Sequence, residues 1–162
     1  MVHTCRAAIG VNAMHKVILL VEDNASDEKL TLLAFKSCGV ANEVVVVRDG
    51  AAALDYIFAT GKHAGRDASV LPTVVLLDLN LPKIDGREVL RRIRADERTK
   101  LLPVVVLTAS KEEEDIVGSY SSGANAYVRK PVEFTEFVEA AKTLGLFWLL
   151  LNEPAPPPRG SP

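Results

Sequence analysis

The 162-residue chain is predicted to be an α/β domain built on a doubly wound parallel sheet. Three observations predict it. Five short apolar runs, rich in Val, Ile and Leu, alternate with amphipathic helical stretches, the pattern of right-handed strand–helix–strand units. The runs lack polar alternation, as strands buried on both faces do. Four of them finish in reactive or ligating residues: Glu22-Asp23, Asp78, Thr108 and Lys130. In an open sheet of this kind such residues collect outside the carboxyl ends of the strands.

The elements follow in order. Residues 16–21 form the first strand. Asn24 suits a helix N-cap, with Asp27 and Glu28 favouring the first turn and Gly39 ending the helix. Leu30, Leu33, Ala34 and Ser37 or Cys38 give that helix its apolar period. Residues 43–47 are the second strand, whose polar flanks Asn42 and Arg48 fit a sheet edge. Asp49-Gly50 opens a second helix with Ala53, Leu54, Ile57 and Phe58 inward, stopping at Gly61. Residues 61–71 have no period and read as a surface loop or a frayed helical extension. Residues 74–77 run into Asp78 and the turn proline Pro82, and this strand organises the rest.

Asp85 and Glu88 make a capping-box variant for a third helix, with Val89, Leu90 and Ile93 inward. Arg91, Arg92 and Arg94 read as its solvated face. Residues 103–107 form the fourth strand, and Ser110 with Glu113 a second capping box. Ile116, Val117 and Tyr120 give the next helix a thin stripe, ended by Gly123, so it is expected to be weakly anchored. Residues 126–128 form the fifth strand. A last helix begins near Val132 or Glu133 with Phe134, Phe137, Val138 and Ala141 inward. From Leu144 to Leu151 every residue except Gly145 is large and apolar, and Trp148 is the only tryptophan. One small domain is not expected to bury such an arm on all sides, which predicts a homodimer that exchanges arms.

Composition narrows the function classes. Hydrophobic residues are 48% and charged residues 25%, with Lys+Arg 19 against Asp+Glu 21 and a net charge of -2. No basic excess or nucleic-acid-binding motif points to DNA or RNA. Cys5 and Cys38 lack metal-ligand spacing and suggest free thiols in a reducing compartment. His3, His15 and His63 are scattered and read as surface residues. No run reaches membrane-spanning length, so a cytoplasmic protein is expected. Residues 1–13 and 154–162 are expected to be disordered tails, with 14–153 as the domain and Met14 as an alternative start.

The strand-end residues form a chemical set. Clustered carboxylates raise one another's pKa unless a cation neutralises them. Oxygen-only ligands suit Mg²⁺. A metal beside an aspartate can hold a phosphoryl group while the carboxylate attacks phosphorus, and an ammonium and a hydroxyl can bind the phosphoryl oxygens.

These residues in combination resemble the receiver domain of two-component response regulators, across residues 16 to about 144. The resemblance implies a flavodoxin-like sheet of strand order 2-1-3-4-5. It implies Asp78 as phosphoacceptor, Asp23, Asp78 and the Asn80 backbone carbonyl as Mg²⁺ ligands, and Glu22 acting through a water. Lys130 and Thr108 would contact the phosphoryl group, Tyr127 would switch with Thr108, and Ala109 would leave the site open. The Lys130–Pro131 bond is expected to be cis. Residues 61–71 and 144–154 further resemble single-domain regulators that partner phytochrome-type histidine kinases. The implied role is a stand-alone phosphorelay protein that accepts phosphate from a histidine kinase. It would be no enzyme beyond its own phosphoryl transfer and autodephosphorylation.

Two other classes fit less well. A phosphatase of the haloacid dehalogenase type needs a second acid two residues after its nucleophile, where this chain has Asn80. A flavin module needs a hydroxyl-rich phosphate loop after the first strand, where this chain has Glu22 and Asp23. A receiver fold that is never phosphorylated is disfavoured by the complete acid set.

Overall fold

Alternating strand side chains supply two separate cores, one on each face of the sheet. The computed structural model describes residues 16–110 and 112–156. Strands β1 (Ile18–Val21), β2 (Val44–Val47), β3 (Val74–Leu77), β4 (Val104–Thr108) and β5 (Ala126–Arg129) are all parallel, in the order β2-β1-β3-β4-β5. Five helices connect and follow them: α1 (Ala25–Ser37), α2 (Gly50–Phe58), α3 (Gly86–Ala95), α4 (Glu113–Ser121) and α5 (Phe134–Leu146). The expected doubly wound sheet and its strand order are therefore present.

Leu19, Val21, Val75, Leu77, Val104 and Val106 face α2 and α3, packing on Leu54, Ile57, Val89, Leu90 and Ile93. The intervening Ile18, Leu20, Val74, Leu76 and Val105 pack on Phe35, Ala141 and Trp148 of the opposite layer. This period of two is why both faces of each strand are apolar.

Several side chains depart from the expected faces. In α1, Thr31, Ala34 and Phe35 are buried and Leu33 is exposed; Phe35 packs against Gly145, and the inward face is shifted by one position. In α5, Phe137 and Ala141 are buried but Phe134 is exposed, because the helix begins at that residue. In α4, Val117 and Tyr120 point to solvent and Ser119 is the buried residue. Helix α2 ends at Phe58, before the expected Gly61, with Ala59 in the left-handed region at φ 54°. Residues 61–71 open with a single 3-10 turn, Gly61–His63. The Arg66 guanidinium lies 3.8 Å from the Tyr56 ring centre, and His63 meets the same ring edge-on, so this loop is stapled to α2.

The two capping boxes form differently. Asp85 Oδ1 accepts the Arg87 amide, but Glu88 pairs with Arg91 and Arg92, one helical turn on, instead of reaching back. Ser110 Oγ donates to Asp115 Oδ2 at 2.5 Å and accepts the Glu112 amide at 3.3 Å. Arg94 is not on a solvated face: it reaches across to the carbonyls of Gly123 and Leu102 and to Asn125 Oδ1, tying α3 to the segments that enter β4 and β5.

The apolar arm is two-sided, with one side packed on the domain and the other exposed. Helix α5 continues as a π-helical turn, Phe147–Leu151, in which Trp148 and Leu149 are buried on the α1 side of the sheet. Lys16 Nζ donates to the Leu149 carbonyl at 2.8 Å. Gly145 lets Phe35 and Val40 approach, since a Cβ there would sit 3.3 Å from the Phe35 ring. Leu146, Phe147, Leu150 and Leu151 remain exposed. Residues 154–156 are exposed and irregular, while residues 1–13 and 157–162 of the expected tails lie outside the described residues, as do His3, Cys5, Met14 and His15.

Candidate functional site

Strand register assembles the site. Val21 pairs with Leu77, so Glu22 and Asp78, each the next residue, emerge side by side at the carboxyl edge. Asp23 follows Glu22 into the β1–α1 turn. Carboxylate oxygens of Glu22, Asp23 and Asp78 all lie within 4.8 Å of one another. Glu22 and Asp78 are buried and Asp23 is exposed. Asn24 caps α1, its Oδ1 accepting the Ser26 and Asp27 amides at 2.9 and 3.1 Å.

Lys130 arrives from the end of β5, where its amide donates to the Thr108 carbonyl at 2.8 Å. Its side chain is 6% exposed, and Nζ donates to Glu22 Oε2 at 2.5 Å, Asp78 Oδ2 at 2.8 Å and Asp27 Oδ2 at 2.9 Å. An ammonium has three protons, and all three are used. Burial alone would lower the lysine pKa. The hydrogen bonds to Asp78, Glu22 and Asp27 outweigh it and hold the group above its ordinary range. Burial pushes the Glu22 carboxyl up, and the Lys130 hydrogen bond opposes it.

Asp27 is the site residue that sequence reasoning missed; it was assigned only to the helix start. A signal existed in its spacing from Asp23, four residues and one helical turn. In a capping box the acid at this position would bond the N-cap amide. Here Glu22 Oε1 already accepts the Asn24 amide at 3.0 Å, which frees Asp27 for Lys130.

The remaining expected residues surround the cluster. Asn80 is exposed, and its amide donates to Asp78 Oδ1 at 3.1 Å. Thr108 is fully buried at the end of β4, and its Oγ1 accepts the Ser110 amide at 3.4 Å. Tyr127 is half-buried, with its hydroxyl donating to the Ser110 carbonyl at 3.3 Å. Ala109 is exposed at the mouth, as a small residue over an open site should be. Asp115 receives both Ser110 Oγ and the Arg87 guanidinium, so a polar chain runs from the Thr108 turn through α4 to α3. Ser110 first and Arg87 second hold the Asp115 carboxyl below its ordinary range.

One expectation fails here. No peptide bond among the described residues is cis, so Lys130–Pro131 is trans. Trans is the lower-energy isomer of an X–Pro bond, and Lys130 reaches all three carboxylates with it.

Three oxygen-donor side chains without nitrogen or sulfur fit a hard divalent cation such as Mg²⁺. An ammonium and a hydroxyl on the neighbouring strands fit phosphoryl oxygens. The donor set so assembled suits a hard cation next to a group carrying phosphoryl oxygens.

Residues 18–142 match the response regulator receiver domain, and the chain belongs to that family. Response regulator Rcp1 of Synechocystis sp. is 40% identical over 134 residues, covering 83% of this chain and 89% of Rcp1. Its Mn²⁺-bound crystal structure superposes with a TM-score of 0.80 at 37% identity, over 87% of this chain and 99% of that one. The phosphorylated cyanobacterial phytochrome response regulator RcpA gives 0.79 at 42% identity, over 90% and 99% of the two chains. The bacteriophytochrome response regulator AtBRR is 54% identical, with a TM-score of 0.68, over 85% and 98%. The chain is thus a response regulator similar to those of phytochrome signalling. No described helix is long and apolar enough to cross a membrane.

Proposed function

We propose that this chain works as a phosphorelay switch in which Asp78 accepts a phosphoryl group from the phosphohistidine of a phytochrome-type histidine kinase. The observation that carries the reading is the buried Lys130 ammonium, bonded to Asp78 and Glu22 beside an open acid cluster. An Asp78 carboxylate oxygen attacks phosphorus, the N–P bond breaks, and its electron pair returns to the imidazole of the kinase. Asp23, Asp78 and the Asn80 backbone carbonyl would hold Mg²⁺, with Glu22 assisting through a water. The ion would supply charge neutralisation for the phosphoryl oxygens.

Lys130 and Thr108 bind and orient those oxygens. The added charge draws Thr108 toward the phosphoryl group and biases Tyr127 through the Ser110 turn, changing the α4–β5 surface. The chain is then no enzyme beyond its own phosphorylation and dephosphorylation, and its cytoplasmic placement beside the kinase is part of the same reading. Labelling with acetyl phosphate should require Mg²⁺ and fall to background in Asp78→Asn, as read by mass spectrometry. Equal labelling of the variant overturns the assignment. Incubation with candidate kinases one at a time identifies the partner.

A homodimer through the arm is supported by the exposed stripe of Leu146, Phe147, Leu150 and Leu151, large apolar side chains on one surface. A second copy related by a two-fold axis would cover both stripes. Light scattering should give twice the chain mass at micromolar concentration, and the Leu150→Glu, Leu151→Glu double variant should give the monomer mass with Trp148 fluorescence unchanged. A wild-type monomer overturns the dimer.

A further inference from the structure

The start of helix α2 contacts the loop that carries Asn80. The loop between β3 and α3 carries Asn80, and it passes through Pro82, Lys83 and Ile84 before the Asp85 cap. Lys83 lies at φ 65°, in the left-handed region where a side chain other than glycine is strained. Within the loop, the Leu81 amide bonds the Leu79 carbonyl, and the Ile84 amide bonds the Pro82 carbonyl.

Three contacts from the start of α2 hold this strained turn. The Gly50 amide donates to the Pro82 carbonyl at 3.3 Å. A Cβ on Gly50 would lie 2.0 Å from the Ile84 carbonyl oxygen, so only glycine permits the approach. The Asp49 carboxylate serves two ends at once. Its Oδ1 accepts the Ala52 amide at 2.7 Å and caps α2, while Oδ2 accepts Lys83 Nζ at 2.8 Å. The Lys83 hydrogen bond, followed by the Ala52 amide, holds the Asp49 carboxyl below its ordinary range. The Asp49 side chain is 16% exposed and that of Lys83 67%.

We infer that Asp49, Gly50 and Lys83 are positioning residues for the cation: they brace the β3–α3 loop so that Asn80 stays beside Asp78 with its backbone ready to serve as a ligand. The inference rests on the metal reading above and extends it to three residues that touch neither metal nor phosphate. Its signature is a sign. Charge alone predicts that removing the Lys83 ammonium tightens cation binding and removing the Asp49 carboxylate weakens it. A brace predicts that both removals weaken binding.

Mg²⁺ titration calorimetry on the full chain tests this, with wild type compared to Asp49→Asn, Lys83→Met and their double variant. Asparagine keeps the cap on α2 and removes only the charge. Each single variant should raise the Kd about threefold, the size a partly exposed ion pair allows. The double variant should be no worse than either single one, and Lys83→Arg should restore binding. In metal-free protein the Asn80 and Leu81 amides should exchange faster in both single variants, a readout independent of the ion. Lys100→Met, which breaks a remote surface pair with Glu97, is the control and should match wild type. Tighter binding in Lys83→Met, or additive losses, overturns the brace. Absence of Mg²⁺ binding by wild type overturns the metal reading and the brace together. Wild-type binding with unchanged variants overturns the brace alone.

Discussion

Lys130→Met is expected to lower unfolding stability by about 3–5 kcal/mol in the presence of a chelator, the cost of removing one partner from a buried ion cluster. Urea midpoints measure it. Methionine matches the length of the lysine stem, so no cavity accounts for the loss. Glu22 and Asp78 would be left buried with no counter-ion, and Asp27 would lose its partner. A larger effect is expected than the mild imbalance that the strand-end position alone suggests, because Nζ is the common partner of three carboxylates. Saturating Mg²⁺ should recover most of the loss, since a divalent ion replaces the missing charge.

The pH dependence has a definite sign. Lys130 is held above its ordinary value of 10.5, so its contribution is fully present below pH 10.5 and is lost as the pH rises beyond it. The Glu22 carboxyl is raised above 4.5 in the fold, so its ionisation works against stability as the pH rises through that range. Without Lys130 the shift grows, and the gap between variant and wild type should narrow on acidification toward pH 4.5. A gap that neither Mg²⁺ nor acid narrows would assign Lys130 a packing role instead.

Gly86→Ala should be strongly damaging for a change of a single methyl group. A Cβ at Gly86 would lie 2.3 Å from the Asp78 carbonyl oxygen and 2.7 Å from the Leu79 Cα. Both are backbone atoms, and Leu79 is fully buried, so neither can turn aside. The N-terminus of α3 must move instead, and the bond from the Gly86 amide to the Leu79 carbonyl, now 2.9 Å, goes with it. Overpacking of this kind costs about 1–3 kcal/mol, less up to about 1 kcal/mol gained from the better helix former. Because the strain falls on the backbone of Asp78, the proposed acceptor, its labelling should slow as well. Gly118→Ala in α4 is the matched comparison: nothing lies within 4 Å of its added methyl, so it should be neutral or stabilising. Equal thermal midpoints for the two variants would refute the close-packing argument.

The strands were readable because their signal is local. A run such as Val74–Leu77 is apolar whichever way its side chains alternate, and the residue after it must surface at the strand end. Asp78, Thr108 and Lys130 therefore fall together from the strand pattern alone. Helix faces were less readable. Leu33 and Phe134 are inward by spacing, but the packing partner decides: Phe35 is buried instead of Leu33, and of the two α5 phenylalanines only Phe137 is buried. Caps failed where a second partner competed. Ser110 found Asp115, Glu88 found two arginines, and Asp27 found Lys130. The partners of Ser110 and Glu88 are near in sequence, but Lys130 is 103 residues from Asp27. No local pattern encodes such a pairing. Apolar composition alone does not say which side of the arm meets the sheet; Gly145, where Phe35 comes close, marks the packed side.

The long spans inside the charge cluster also set an order of assembly. Lys130 is 108 residues from Glu22 and 52 from Asp78. During synthesis β1 and β3 emerge well before β5, and their carboxylates meet with no ammonium between them. Closing so long a loop carries an entropic cost that grows only slowly with length, but it is met before any contact repays it. Docking of β5 is therefore the step that neutralises the edge of the sheet. Half-made chains carry the aspartate without the lysine, so the proposed acceptor chemistry would begin only when the last strand has joined, and divalent ions should quicken that joining by screening the edge beforehand.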